Sequence, residues 1–163
     1  MGRPLKRLSA VRWGELSDAT GSAVELPALL SKLAWVGEDD ARDAIDELAD
    51  RVCELGFVLT EATASVIPFL MELARLPEVN CRIEILELIA AVNSTRQWAD
   101  AAAAAAPQYR SSYDEKVSWE ENSRAAVAAS KGIIESITQD SDAAVAAVAR
   151  QLLDSLADRR GLI

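Results

Sequence analysis

The sequence predicts an all-α protein, a short right-handed α-solenoid of stacked helix pairs, and three observations lead to that fold class. Leu-Pro-Ala-Leu-Leu at 26–30 returns 41 residues later as Ile-Pro-Phe-Leu-Met at 67–71. Asp-Ala-Ile-Asp at 43–46 returns at the same offset, without a gap, as Glu-Ile-Leu-Glu at 84–87. Only seven Gly and five Pro interrupt 163 residues, which favours helices. A helical repeat of about 40 residues is typical of solenoids, in which each helix pair buries its apolar face on its neighbour.

About seven helices and no sheet are expected, in a single domain that spans residues 1–163. The first pair covers about 23–35 and 39–54. Ser22 can cap the first of these helices. Gly37 and Gly56 end the two helices.

The second pair covers about 61–75 and 79–93, and a Leu-Pro-Glu segment at 76–78 separates its helices. Pro27 and Pro68 are expected early in the first helix of their repeats, where a missing N–H is tolerated.

After residue 93 the pattern changes. An Ala-rich helix over 95–106 ends at a proline, and residues 107–116 form a polar segment that is expected to be a loop. Helices over about 117–137 and 143–158 complete the chain. This last pair is interpreted as a degenerate third repeat that caps the stack.

The charge distribution argues against generic binding of nucleic acids. Net charge is −9, and the first acid, Glu15, follows four basic residues at positions 3, 6, 7 and 12. Phosphate binding draws most of its affinity from Lys and Arg, so the acidic body is a poor match for DNA. Residues 1–13 are expected to form a loosely ordered basic arm, although such an arm could also contact a polyanion.

The composition also limits the chemistry and the compartment. Histidine is absent, and Cys53 and Cys81 are the two cysteines, so they are interpreted as buried, reduced thiols. No catalytic residue, metal site or cofactor is expected, since the acids at 38–40 suit the first turn of a helix. No secretory or membrane-spanning run of apolar residues is seen, which favours a cytoplasmic protein without membrane contact.

An acidic stripe is the first candidate for partner binding. At 100° per residue, four aspartates fall on one side of the second helix, opposite its apolar residues: Asp39, Asp43, Asp46 and Asp50. Glu84 and Glu87 are the repeat equivalents of Asp43 and Asp46. Stacking should align these acids into an acidic groove that attracts a basic partner. The alternative is that the acids only solvate their helices.

The polar segment after residue 106 supplies a second candidate. Tyr109, Arg110 and Tyr113 belong to residue types enriched at interface hot spots, and they lie in the longest polar stretch of the chain. Trp98 and Trp119 are expected to hold this segment on the stack.

The two proline-containing openings and Glu-Asp-Asp-Ala-Arg-Asp-Ala-Ile-Asp-Glu-Leu at 38–48 resemble the bacterial HEAT-repeat proteins. The resemblance covers about 24–93 well and 120–158 weakly. Where that family commonly has a basic residue near the start of the second helix, this chain has Arg42 and Arg82, which are one position apart in register. HEAT-like proteins include scaffolds, DNA-repair enzymes, factors acting on phycobiliproteins, and immunity proteins that neutralise toxins, so the resemblance implies an architecture rather than one activity.

Three hypotheses follow. The first is a non-enzymatic, immunity- or antitoxin-like inhibitor whose acidic face binds a basic protein, possibly a toxin such as a nuclease. The second is a HEAT-type adaptor or assembly scaffold, and the third is a nucleic-acid-processing HEAT protein. The acidic stripe argues against the third hypothesis, because a protein that binds nucleic acid needs a basic surface.

Overall fold

The computed structural model describes residues 5–35 and 37–160, with side chains up to residue 157. The protein is mostly helical, at 74% helix with little strand, which confirms the all-α class. Its helices, in chain order, are α1 (Leu26–Trp35), α2 (Glu38–Val52), α3 (Thr63–Ala74), α4 (Arg82–Ser94), α5 (Gln97–Ala104), α6 (Asp114–Ala129), α7 (Lys131–Ile137) and α8 (Ala143–Arg160).

Two short antiparallel hairpins add a feature that the sequence did not predict. Ser17–Asp18 (β1) pairs with Gly21–Ser22 (β2), and Cys53–Glu54 (β3) pairs with Val58–Leu59 (β4). The expectation of no sheet is therefore wrong, and the second helix ends at Val52 instead of residue 54.

The helices pack in two rows. Helix α1 packs on α2 and α3 packs on α4, while α1 also contacts α3 and α2 contacts α4. Helix α6 extends the first row by packing on α3, and α8 extends the second row by packing on α4 and on α7. The third layer therefore contains α6 and α7 in one row and α8 in the other.

Residues related by the offset of 41 occupy equivalent places in the core. Ile45 and Leu86 are 3% and 0% exposed, and Leu48 and Ile89 are both fully buried. These four side chains and Leu70 belong to one cluster of buried apolar residues. Both repeats therefore share one continuous core.

The N-terminal segment differs from the expected loose arm. Leu5 and Trp13 are buried, the Leu5 N–H donates a hydrogen bond to Glu72 Oε1 at 2.8 Å, and the Trp13 ring lies 6.0 Å from that of Phe69. Residues 5–13 thus pack on α3, because the basic stretch contains two apolar anchors. Residues 1–4, with Arg3, lie outside the described residues.

The C-terminal half differs from the sequence-based boundaries in two places. Pro107–Tyr113 forms a 3₁₀ helix and α6 begins at Asp114, so 107–116 is not a loop. The helix expected over 117–137 breaks at Ser130, whose hydroxyl donates to the Ala126 carbonyl at 3.2 Å. The backbone of Ser130 leaves the helical region, with φ −95° and ψ 12°, and this residue separates α6 from α7.

An ion pair between buried Arg82 and half-buried Asp140 joins α4 to the turn before α8. Arg82, 5% exposed, donates from Nε to the Ala74 carbonyl at 2.8 Å and from Nη1 to Asp140 Oδ1 at 3.1 Å. The Arg82 hydrogen bond, and then the Asp142 N–H, lower the pKa of Asp140. Arg42, which stands one position later in the register of the first repeat, is exposed and pairs with Glu38 at 3.4 Å.

Candidate functional site

A groove between α2 and α4 collects most of the predicted acids. Asp46 and Asp50 are one turn apart on α2, and Glu84 and Glu87 lie on the facing wall from α4. The groove encloses about 390 Å³. Its floor is apolar and partly formed by small residues: Ile45, Ala49, Leu88 and Ala91. We call this the α2–α4 groove.

The α2–α4 groove carries charge of one sign. No Lys or Arg is among the residues that line it. The arginines of α2 pair elsewhere, Arg42 with Glu38 and Arg51 with buried Asp18 at 3.4 Å. Two carboxylates on each wall therefore face each other across a floor that offers no counter-charge.

The other two acids of the predicted stripe diverge from this groove. Asp43 lines a separate pocket between α1 and α2 with Asp40, Glu47 and Lys32, and Asp39 is exposed in the first turn of α2. Asp43 and Asp46 are three residues apart, which separates them by about 60° around the helix. The acidic stripe therefore spans two sides of α2. Asp43 lies on the side next to α1, and Asp46 lies on the side next to α4.

The tip of the β3–β4 hairpin closes one end of the groove with exposed apolar side chains. Leu55 and Gly56 line the groove, and Leu55 is 77% exposed and Phe57 44% exposed. Leu55 and Gly56 both have positive φ, 58° and 85°. The sequence interpretation missed this tip because it treated Gly56 only as a helix stop, although Gly between apolar residues also indicates a hairpin.

Hydrogen bonds from neighbouring elements hold the hairpin in place. The Thr95 hydroxyl donates to the Phe57 carbonyl, and Trp98 Nε1 donates to the Leu59 carbonyl at 3.0 Å. At the base, the Thr63 hydroxyl donates to the Val52 carbonyl at 2.6 Å. The exposed apolar tip is thus fixed at both ends.

A second cleft, of about 750 Å³, lies where α5, the 3₁₀ helix and α6 meet, and we call it the α5–α6 cleft. Its charged residues have both signs: Arg96, Arg110, Asp114 and Glu121. Arg110 Nε also donates to the Ala105 carbonyl at 3.3 Å. The charges of the residues that line the cleft therefore sum to zero.

The two predicted tyrosines have different surroundings. The Tyr113 ring lies 6.4 Å from that of Trp98, and Lys116 Nζ lies 4.3 Å from the centre of the Trp98 ring. Trp98 therefore packs the 3₁₀ helix and α6 onto α5, as expected. Tyr109 is 62% exposed and Tyr113 is half-buried, so Tyr109 is the more accessible of the two.

Glu120 is a buried residue behind the α5–α6 cleft, and it was not identified as important from the sequence. It is fully buried, and its two oxygens accept the N–H groups of Trp98 at 2.8 Å and of Ala99 at 3.0 Å. These donors belong to the first turn of α5, whose N–H groups have no partners within the helix. A carboxylate from α6 thus caps α5.

The two thiols are suited to packing. Cys53 and Cys81 are 2% and 3% exposed and unpaired, and burial raises the pKa of each to about 11. Thiolate, the reactive form, is therefore scarce near neutral pH.

The described part of the chain contains neither a metal-binding cluster nor a membrane-spanning helix. No group of three or more His, Cys, Asp or Glu side chains within 5–35 and 37–160 could hold a metal ion. None of the helices in those ranges combines the length and apolar character that a membrane crossing needs.

Comparisons of the chain with protein-family models, with curated proteins and with solved structures find no match.

Proposed function

We propose that this protein is a non-enzymatic binding module whose α2–α4 groove engages a basic surface of another protein. In its most concrete form it is an immunity- or antitoxin-like inhibitor that occupies the cationic cleft of a toxin such as a nuclease. It acts in the cytoplasm and needs no cofactor. The observation that carries the proposal is the pair of acidic walls in a groove without a lining cation.

The physical argument is electrostatic steering. Carboxylates of one sign in a concave surface focus the field and speed the encounter with a cationic partner. Like charges from a wrong partner would meet across the same walls at a cost of several kcal/mol. The groove therefore favours basic over acidic partners.

The architecture supports the same proposal. We infer a short right-handed HEAT-like solenoid from the 41-residue offset, from the matching burial of its equivalents and from the two rows of helices. Solenoids of this kind present extended binding surfaces, because each repeat contacts only its neighbours.

The test compares two double charge reversals. Asp46→Lys with Asp50→Lys changes the groove, whereas Glu25→Lys with Glu78→Lys changes exposed acids outside it. Each pair shifts the net charge by +4, from −9 to −5. Capture from the source cells, followed by binding of the purified partner, should yield a basic protein that the parent and the control bind and the groove variant does not.

Two further results discriminate the alternatives. Loss of the partner's own activity in the complex supports an inhibitor, and unchanged activity supports an adaptor or scaffold. An acidic partner, or equal binding by the groove variant, contradicts the proposal. Tight binding of duplex DNA at physiological salt by a variant with Arg3, Lys6, Arg7 and Arg12 all changed to Gln would favour a nucleic-acid-processing protein instead.

A further inference from the structure

The arrangement of acidic and apolar residues in the α2–α4 groove limits which basic ligands can fill it. Its walls carry Asp46 and Asp50 on one side and Glu84 and Glu87 on the other, with an apolar floor between them. A ligand that fills it needs one apolar face with cations on both flanks.

An α-helix meets this requirement and an extended strand does not. In a helix, residues i and i+3 or i+4 share a face, so an apolar stripe can be flanked by Lys or Arg on both sides. Successive side chains of a strand point to opposite faces, which would direct alternate residues away from the groove.

The length of the groove limits the contact to about two helical turns. The lining residues extend from Ile45 to Asp50 on α2 and from Glu84 to Ala91 on α4, which is about 8–11 Å at 1.5 Å per residue. Ala49 and Ala91, which α2 and α4 contribute to the floor, are half-buried and small, so the floor leaves room for large apolar side chains of a ligand.

The hairpin tip supplies an anchor at one end. Leu55 is exposed and held at positive φ, a conformation that favours Asn or Gly at this position of a turn. A polar residue would satisfy both the backbone and the solvent better, so folding alone does not explain a leucine here. Because the hairpin is fixed by Thr95 and Trp98, Leu55 can contact a ligand without prior ordering.

We propose that the α2–α4 groove binds one basic amphipathic α-helix, with the apolar stripe of that helix on the groove floor and against Leu55. This assignment rests on the proposed function and states what part of a basic partner the groove recognises. Docking of an amphipathic helix into an apolar groove is a general mode of peptide recognition. The acidic walls restrict it here to helices that carry cations on both flanks.

The experiment uses two synthetic peptides of identical composition and charge. In the first, Leu recurs at i, i+3, i+4 and i+7 between Lys and Arg, and in the second the same residues are scrambled so that no apolar stripe forms. Fluorescence anisotropy should show the striped peptide binding about tenfold more tightly, as expected for burial of an apolar face. Circular dichroism should show the striped peptide gaining helix when it binds.

Protein variants locate the site. Asp46→Lys with Asp50→Lys should abolish binding of the striped peptide, while the Glu25→Lys with Glu78→Lys control retains it. Leu55→Asn should weaken binding several-fold and leave the fold intact.

Three outcomes would overturn the inference. Equal binding of both peptides, lost in the groove variant, leaves an acidic groove that does not select helices, so the proposed function survives and this inference fails. Binding of neither peptide also overturns it. Binding of the striped peptide that the groove variant keeps places the contact elsewhere, which contradicts both proposals.

Discussion

The α2–α4 groove and the α5–α6 cleft differ in the charges of the residues that line them. The cleft is larger, about 750 Å³ against about 390 Å³, and it contains two arginines among its carboxylates. The smaller groove holds four carboxylates and no lining cation. Volume alone would favour the cleft as a binding site, whereas uncompensated charge favours the groove.

The supports of the two regions differ as well. Buried apolar residues of both repeats lie beneath the groove, while the cleft depends on one buried carboxylate, Glu120, and on Trp98. Polar supports are sensitive to single substitutions because each removed partner leaves another group unsatisfied. The groove is thus built on a continuous core and the cleft on local contacts. Four predictions test this contrast and the contacts around it.

The largest effect is expected in the core next to the groove. Leu86→Ala should lower the free energy of unfolding by about 2–5 kcal/mol, because it removes a fully buried side chain from close packing. Val117→Ala at the half-buried wall of the cleft should cost about 1 kcal/mol. Urea unfolding measures both, and equal losses would remove the contrast between the two supports.

The second-largest effect on stability is expected at the ion pair between Arg82, at the start of α4, and Asp140. Asp140→Asn should lower stability by about 3 kcal/mol at neutral pH, because it weakens the pairing of buried Arg82. The pKa of Asp140 is lowered in the folded protein, so its contribution is present above the unfolded value of about 3.9. That contribution disappears as the pH falls through the folded pKa. Unfolding curves from pH 7 downward should therefore show parent and variant converging below about pH 4, and a constant difference would exclude a charge effect.

A smaller and local effect is expected behind the cleft. Glu120→Gln replaces one acceptor oxygen with an amide that cannot accept a hydrogen bond, so one N–H at the start of α5 loses its partner, at a cost of about 1–3 kcal/mol. Hydrogen exchange should accelerate in 97–104 more than in α2 and α4. The neighbouring exposed Glu121→Gln should leave these rates unchanged, and a global acceleration in Glu120→Gln would show that the cleft is part of the main core.

The smallest effect has the opposite sign. Leu55→Asn should raise the free energy of unfolding by about 1 kcal/mol, since Asn tolerates the positive φ that costs Leu strain. Phe57→Asn, at the same exposed tip but without positive φ, should bring no such gain. Thermal unfolding of the two variants decides the point, and a destabilised Leu55→Asn would show that Leu55 is required for packing.

Sequence patterns were informative wherever they repeat. The offset of 41 identified the equivalent core positions, and Ile45, Leu48, Leu86 and Ile89 are buried as expected, because helical periodicity alone determines which side of a helix is apolar. The turn-prone residue types after residue 106 led to wrong predictions of where the helices begin and end. Residues 107–113 contain turn-prone residues and yet form a 3₁₀ helix, and Trp98 packs beside this segment, a contact between residues distant in sequence.

The sequence by itself determined the helical class, the continuous core and the acidity of α2, because composition and periodicity are properties of each segment alone. Tertiary structure decided which acids share a surface. Asp46, Asp50, Glu84 and Glu87 meet across one groove, while Asp43 lies beside Lys32 in another, and a rotation of about 60° around one helix makes that difference. It also decided that Leu55 borders those acids, because the position of a hairpin depends on bonds from Thr95 and Trp98 that local sequence does not reveal.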